Sequence, residues 1–158
     1  IKQHAETGGK VLGICNGFQV LCEMGLLPGA LARNNNQRFS CKDVYLKVES
    51  TTSALTHGLQ GGEVLRIPIA HAEGRYVISQ SGLQELRDNN QIVVRYCNAD
   101  GQTDHASNPN GSMDDIAGVS NMQGNVVGLM PHPERAADAK HGGTDGKAMF
   151  DGLVEALS

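Results

Sequence analysis

The sequence lacks the features that mark most proteins that bind nucleic acids or cross membranes. Its 158 residues include no tryptophan, three tyrosines and three phenylalanines, which is too few for a base-stacking surface. The formal net charge is −4 and the basic residues form no run, so electrostatic support for nucleic-acid binding is missing. No apolar stretch approaches the ~20 residues that span a bilayer. We therefore expect neither a nucleic acid nor a membrane as a partner.

Cysteine is also scarce, and its spacing suits neither a metal site nor a disulfide framework. The four cysteines, at positions 15, 22, 41 and 97, form no C-x-x-C pair. We therefore expect no metal, and a location in a reducing cytoplasm. Glycine is abundant instead, with 20 residues, which indicates many turns and close approaches of the main chain.

The stretch KVLGICNGFQV, residues 10–20, carries the clearest chemical signal. Residues 11–14 form a short apolar run typical of a buried strand, and the residues after Cys15 have the apolar spacing of a helix. Cys15 therefore lies where a strand turns sharply into a helix. Gly13 and Gly17 flank it, and residues without a Cβ allow a tight turn. The pattern is the G-x-C-x-G form of the nucleophile elbow.

The position of Cys15 favours a reactive thiol over a small buried hydrophobe. A helix N-terminus carries a positive partial charge and free N–H groups, so it is expected to lower the pKa of the thiol and to favour the thiolate. The other three cysteines lack this setting and are interpreted as structural.

A nucleophile requires a base, and His132 is the best candidate. An apolar strand at 126–130 ends in Pro131-His132-Pro133, where the prolines favour an extended segment. In such a segment Glu134 lies on the same side as His132 and can orient its ring. An exposed turn is the alternative interpretation of these residues. His71, another candidate base, has no partner at a comparable fixed spacing.

The rest of the chain predicts one α/β domain, partly parallel, with an antiparallel middle portion. Apolar patterns predict strands at 43–49, 63–69 and 91–97, and two more that are joined by a turn at Gln123-Gly124. An amphipathic helix is predicted at 81–90. The apolar stripe of a last helix comprises Met149, Phe150, Leu153, Val154 and Leu157.

Taken in order, the segments GICNGFQVL, GLLPGAL, RFSC, IPIAHAEGRY, NPNGS, DIAG and MPHPERA resemble the landmarks of the class I glutamine amidotransferases. Within that family they are most similar to the glutaminase subunits of phosphoribosylformylglycinamidine synthase. The resemblance covers nearly the whole chain and departs at Ala72, where the family usually has glycine. It implies a three-layer, flavodoxin-like α/β fold with a mixed, mostly parallel sheet. It also implies that residues 1–158 are a type 1 amidotransferase domain that lacks its N-terminal strands and a glycine-rich oxyanion loop.

The same resemblance implies a role for each residue of the motifs. Cys15 would attack the side-chain amide of glutamine, His132 would transfer protons, and Glu134 would orient His132. The N–H of Asn16 would stabilise the oxyanion, and Gln19 would face the bound glutamine.

Two further segments have implied roles. Arg38 and Phe39 would line the glutamine pocket. His71, Glu73 and Arg75 would lie on the face toward the synthetase. For each of these, an ordinary polar loop is the alternative.

The implied activity is hydrolysis of glutamine to glutamate and ammonia in the service of purine synthesis. The partners would be a synthetase subunit (PurL) and a small bridging subunit (PurS), and the partner would use ATP and Mg²⁺, with no cofactor in this chain. Three alternatives stay open: another class I amidotransferase, a related cysteine hydrolase or peptidase, and a catalytically silent interaction subunit. The peptidases commonly have histidine where this chain has Asn16.

Overall fold

The computed structural model describes residues 1–157, apart from the side chain of His141, and its centre is a six-stranded mixed sheet. The strands are β1 (Val11–Ile14), β2 (Ala30–Ala32), β3 (Ser40–Val48), β4 (Val64–His71), β5 (Arg75–Val77), β6 (Ile92–Cys97), β7 (Ile116–Ser120) and β8 (Val126–Leu129). All of the predicted strands form. Two short ones, β2 and β5, were not predicted, and they pair with each other in a separate antiparallel sheet.

The helices are α1 (Lys2–Glu6), α2 (Asn16–Glu23), α3 (Gln80–Asp88) and α4 (Asp145–Glu155). Ser79 is the N-cap of helix α3. Its side chain accepts a hydrogen bond from the N–H of Gly82 and so caps the first turn. In α4, Met149 is fully buried and Val154 is 62% exposed, and Leu157, two residues after the helix, is 66% exposed. The predicted apolar stripe of α4 is therefore buried in its first turns and exposed toward its end.

The strand order of the large sheet is β1-β8-β7-β6-β3-β4. Strands β1 and β8 are parallel, whereas the other four neighbouring pairs are antiparallel. The mixed α/β class is confirmed, but in the described residues parallel pairs do not predominate as expected. The reason lies in the connections: no α-helix joins β3 to β4, β6 to β7 or β7 to β8, and a parallel pair needs a crossover.

Helices cover the sheet on both faces, which gives three layers. One buried cluster lies on the side of α4 and includes Ile67, Tyr96 and Met149. The other lies on the side of α2 and α3 and includes Phe18 and Leu86. Adjacent residues of β8 alternate between the two clusters, because successive side chains of a strand point to opposite faces.

Candidate active site

Cys15 occupies the turn between β1 and α2, with main-chain angles φ 53° and ψ −109°. A positive φ is strained for a residue with a Cβ, so the surrounding structure has to hold it in place. Gly13 permits the turn, because a Cβ there would lie 2.5 Å from Leu21 Cδ1 and 2.7 Å from the carbonyl oxygen of Gly17. A Cβ at Gly17 would meet nothing within 4 Å. Of the two predicted glycines, close approach therefore requires Gly13 alone.

The Cys15 thiol faces the end of β4, where Sγ donates a hydrogen bond to the carbonyl oxygen of Ala70 at 3.8 Å. Burial raises the pKa of the thiol, and this outweighs the N–H of Asn16 and the charge of Arg135, which both lower the pKa. The prediction of a lowered pKa was therefore wrong in its net direction. Because the thiol is the stable form, a neighbouring base has to remove its proton.

His132 and Glu134 form a short hydrogen bond, with Nδ1 2.6 Å from Oε1. A carboxylate only accepts, so Nδ1 carries a proton, and a histidine with its single proton on Nδ1 presents Nε2 as an acceptor. His132 Nε2 is buried and has no hydrogen-bond partner within the described part of the chain. A ring with one nitrogen fixed by a carboxylate and the other free has the arrangement of a general base.

The backbone at this pair differs from the predicted extended segment. Pro133–Ala136 form a 3₁₀ turn, which places Glu134 next to the His132 ring. The turn also brings Arg135 Nε to 3.6 Å from Glu134 Oε1, so two cationic or proton-donating groups share one carboxylate. The Glu134 carboxylate thus lies between the His132 ring and the Arg135 guanidinium.

Sheet topology explains why a cysteine and a histidine more than a hundred residues apart occupy one region. Ile14 pairs with Leu129 in the parallel β1–β8 ladder, and the Cys15 N–H donates to the Leu129 carbonyl oxygen at 2.8 Å. Cys15 and His132 therefore follow the carboxyl ends of neighbouring parallel strands. The His132 N–H donates to the carbonyl oxygen of Pro68 in β4 at 2.8 Å, so β4 contacts both residues.

A cavity of about 480 Å³ opens at Cys15. The residues that line it are Cys15, Asn16, Gln19, Arg33, Gln37, His71, Ala72, Glu73 and Met130. Its size suits a small molecule. Arg33 Nε lies 3.4 Å from Glu73 Oε1, and both side chains are largely exposed, which places a pair of opposite charges at the rim.

Four of the residues that were predicted to bind substrate or form an interface line this cavity: Asn16, Gln19, His71 and Glu73. Arg38 and Phe39 are not among its residues, and Phe39 is 65% exposed. Arg33 and Gln37, from the same polar segment, line the cavity instead. The signal that could have found them is the stretch RNNNQRF itself, in which sequence alone does not show which side chains turn inward.

His71 is 4% exposed, and its predicted place on the face toward the synthetase stays a prediction. It follows the inward-facing residues Ile67 and Ile69 of β4 at a spacing of two, so its ring enters the core face of the sheet. Arg75 lies in β5, with its Nε buried and without a hydrogen-bond partner in the described residues, and it does not line the cavity. Its interface role stays a prediction.

The other cysteines differ from Cys15 in their surroundings. Burial raises the pKa of Cys22 to about 12 and that of Cys97 to about 11, while Cys41 is exposed in β3. Among the described residues no cluster of three or more histidine, cysteine or acidic side chains suits a metal ion. The helices of the described chain are all too short or too polar to cross a membrane.

Comparison with known proteins defines the class. The family model of the CobB/CobQ-like glutamine amidotransferase domain matches residues 1–145. The chain belongs to this glutamine amidotransferase family, and the cysteine elbow and the His132–Glu134 pair lie within the matched region.

Individual proteins within this family are similar to the chain over nearly its whole length. The phosphoribosylformylglycinamidine synthase subunit PurQ of Gloeobacter violaceus is 54% identical over 154 residues, which are 98% of this chain and 66% of that protein. The subunit of the same name from Koribacter versatilis is 49% identical over 158 residues, 100% of this chain and 68% of the relative. The chain thus spans about two thirds of the length of these relatives. The structure of PurLQS from Thermotoga maritima matches with a TM-score of 0.84 and 44% identity, over 99% of this chain and 66% of that one.

Proposed function

We propose that this chain hydrolyses glutamine to glutamate and ammonia, as the glutaminase subunit of a phosphoribosylformylglycinamidine synthase. The observation that carries the proposal is the 2.6 Å bond from His132 Nδ1 to Glu134 Oε1, which leaves Nε2 free in the region of the strained Cys15. A thiol whose pKa is raised by burial needs such a base, and here the base is already oriented.

The reaction begins with transfer of the thiol proton from Cys15 to His132 Nε2, while Glu134 stabilises the imidazolium through Nδ1. The sulfur then attacks the carboxamide carbon, and the N–H of Asn16 stabilises the oxyanion at the start of α2. His132 returns its proton to the nitrogen, which leaves as ammonia, and a γ-glutamyl thioester remains on Cys15. His132 next takes a proton from water, the hydroxide attacks the thioester, and glutamate and the thiol are released.

The cavity supports glutamine as the substrate. Its rim carries the Arg33–Glu73 pair, whose charges match the α-carboxylate and the α-ammonium of an amino acid. Gln19 lies one turn into α2 on the same wall and offers an amide that can donate and accept. The amino-acid head would lie at this rim, so the side-chain carboxamide extends toward Cys15.

The ammonia would be used by a separate subunit. The relatives' names identify a synthase subunit, and the Thermotoga maritima structure is of PurLQS, so we infer that the partners here are a PurL-type synthetase and a PurS-type bridging subunit. ATP and Mg²⁺ would then be bound by the synthetase. In the relatives, the part of the protein that this chain does not span would complete the amidotransferase domain. We infer a cytoplasmic location from the role in purine synthesis.

The test is ammonia release from glutamine by the full-length protein, with and without the synthetase subunit. We expect glutamate and ammonia in equal amounts, and glutamine-dependent formation of formylglycinamidine ribonucleotide when the synthetase, ATP and Mg²⁺ are added. Hydrolysis of peptides or esters in place of glutamine would support the cysteine-hydrolase alternative. An intact complex that binds but never hydrolyses glutamine would support a silent interaction subunit.

A further inference from the structure

The buried amide of Asn34 holds the end of β4 in a fixed arrangement. Its Nδ2 donates to the carbonyl oxygens of Arg38 at 2.8 Å and of His71 at 2.9 Å. Its Oδ1 accepts from the N–H of Gly74 at 3.0 Å. Three main-chain partners therefore determine which atom of the amide is oxygen and which is nitrogen.

This arrangement determines which nitrogen of the His71 ring carries the proton. Asn34 Oδ1 lies 3.1 Å from His71 Nδ1, and an amide oxygen only accepts, so Nδ1 carries the proton. Burial, with a smaller contribution from the nearby His132, lowers the pKa of His71 to about 4, so the ring is neutral at neutral pH. The remaining nitrogen, Nε2, is therefore an acceptor at neutral pH.

His71 Nε2 is buried and has no hydrogen-bond partner within the described part of the chain. A buried acceptor without a donor is unfavourable, and most such groups in folded proteins are paired. Since His71 also lines the cavity with Cys15, a molecule that enters the cavity can supply the missing donor.

The position of His71 indicates which end of the substrate it meets. It follows Ala70, whose carbonyl oxygen is 3.8 Å from Cys15 Sγ, and its ring is close enough to His132 for the two to interact electrostatically. The Arg33–Glu73 pair at the exposed rim suits the charged head of an amino acid. The donor near His71 is therefore at the reacting end.

We propose that His71 Nε2 accepts a hydrogen bond from the carboxamide NH₂ of glutamine and makes His71 a specificity-determining residue for amides over esters and acids. The inference rests on the proposed function. The bond would orient the amide nitrogen for protonation by His132. The carboxylate of glutamate presents only lone pairs to Nε2, so the same contact would disfavour the product.

The experiment compares two substrates, L-glutamine and the γ-methyl ester of L-glutamate, which has no N–H at the reacting end. His71→Asn retains a donor toward Asn34 in place of Nδ1 but removes Nε2, and His71→Gln returns an acceptor near that position. We expect His71→Asn to lower kcat/KM for glutamine about 10²-fold or more, with less than about a threefold change for the ester. His71→Gln should recover part of the glutamine rate.

Equal losses on both substrates in His71→Asn would overturn the proposal, because they indicate a structural role or a contact to the α-ammonium. No loss on either substrate would overturn it as well. A binding measurement separates this proposal from the proposed function. In a Cys15→Ala background, which cannot turn over, His71→Asn should weaken glutamine but not ester in calorimetric titration. Unchanged glutamine affinity would refute the role of His71 even if the wild-type protein releases ammonia. Discrimination in binding without any wild-type turnover would refute the proposed function alone.

Discussion

The sulfur of Cys15 lies 3.8 Å from the carbonyl oxygen of Ala70, although β1 and β4 are the two outermost strands of the six-stranded sheet. The sheet therefore curls until its edges approach each other, and the candidate nucleophile lies where they meet. Twist that accumulates across neighbouring strands gives such curvature. The site depends in this way on the whole sheet and not only on the elbow.

Replacing Cys15 by alanine should abolish glutamine-dependent synthesis, since no other group forms the thioester. Loss of a nucleophile that acts with its base typically costs ~10⁶ in kcat. Synthesis with added ammonium should persist in the partner subunit, and assays with both nitrogen sources measure the difference. Glutamine-dependent turnover in this variant would refute the assignment of Cys15.

A chloroketone analogue of glutamine should label Cys15 in preference to Cys22 and Cys97, whose pKa values of about 12 and about 11 keep them protonated.

His132→Asn should lose nearly as much activity as Cys15→Ala, because the two residues act as one unit. Glu134→Gln keeps the shape of the side chain but removes the carboxylate that fixes Nδ1–H, so a smaller loss, ~10²- to 10⁴-fold, is expected. Steady-state kinetics on glutamine measures both. His4→Asn, at an exposed position, is the control and should retain full activity. A larger loss from Glu134→Gln than from His132→Asn would contradict these roles.

Gly13→Ala should destabilise the protein by about 1–3 kcal/mol, because its Cβ would collide with the main chain of Gly17 at 2.7 Å and with Leu21. Gly17→Ala is the matched control, since a Cβ there meets nothing within 4 Å. Urea unfolding of the two variants measures the difference. Equal stability of both would mean that the elbow relaxes around the new methyl group without cost.

His71 should make stability depend on pH. Its pKa is lowered to about 4 in the folded protein, while an unfolded histidine titrates near 6.5. Between these values the unfolded chain binds the extra proton, so this contribution to stability falls as pH drops from about 6.5 to about 4, by up to about 1.4 kcal/mol per pH unit. Below about 4 both states are protonated and the slope from this group ends.

The measurement is urea unfolding at pH 7 and pH 5 for the wild type and His71→Asn. The variant should lose less stability between these values than the wild type. Equal losses in the two proteins would mean that the pKa of His71 is the same in the folded and unfolded states, so that burial does not keep the ring neutral.

The parts of the site that sequence could predict are those whose partners are close in the chain. Cys15 in its elbow and His132 with Glu134 depend on spacings of a few residues, and those patterns are visible in a single sequence. The Asn34–His71 bond joins residues 37 positions apart, and no local pattern indicates it. The raised pKa of Cys15 was missed for a similar reason, because burial depends on how distant strands pack around the elbow.

In the fold, too, the features with local sequence patterns were predicted, and those that depend on distant residues were not. Strands and helices were predicted from apolar patterns, whereas strand direction depends on connections whose course is not local. The polar segment that supplies Arg33 was recognised, but Arg33 lines the cavity and Arg38 does not, and between them the chain turns at Gln37, where φ is 55°. A positive φ at a residue other than glycine has no reliable sequence signal.

Strand β4 also links the two residues that react. The carbonyl oxygen of Pro68 accepts from the His132 N–H and that of Ala70 accepts from the Cys15 thiol, so nucleophile and base are attached to alternate residues of one strand. Alternate residues of a strand are about 6.6 Å apart along its axis, and this distance is almost inextensible. A substitution that displaces this edge strand is therefore expected to disturb the cysteine sulfur and the main chain of the histidine together.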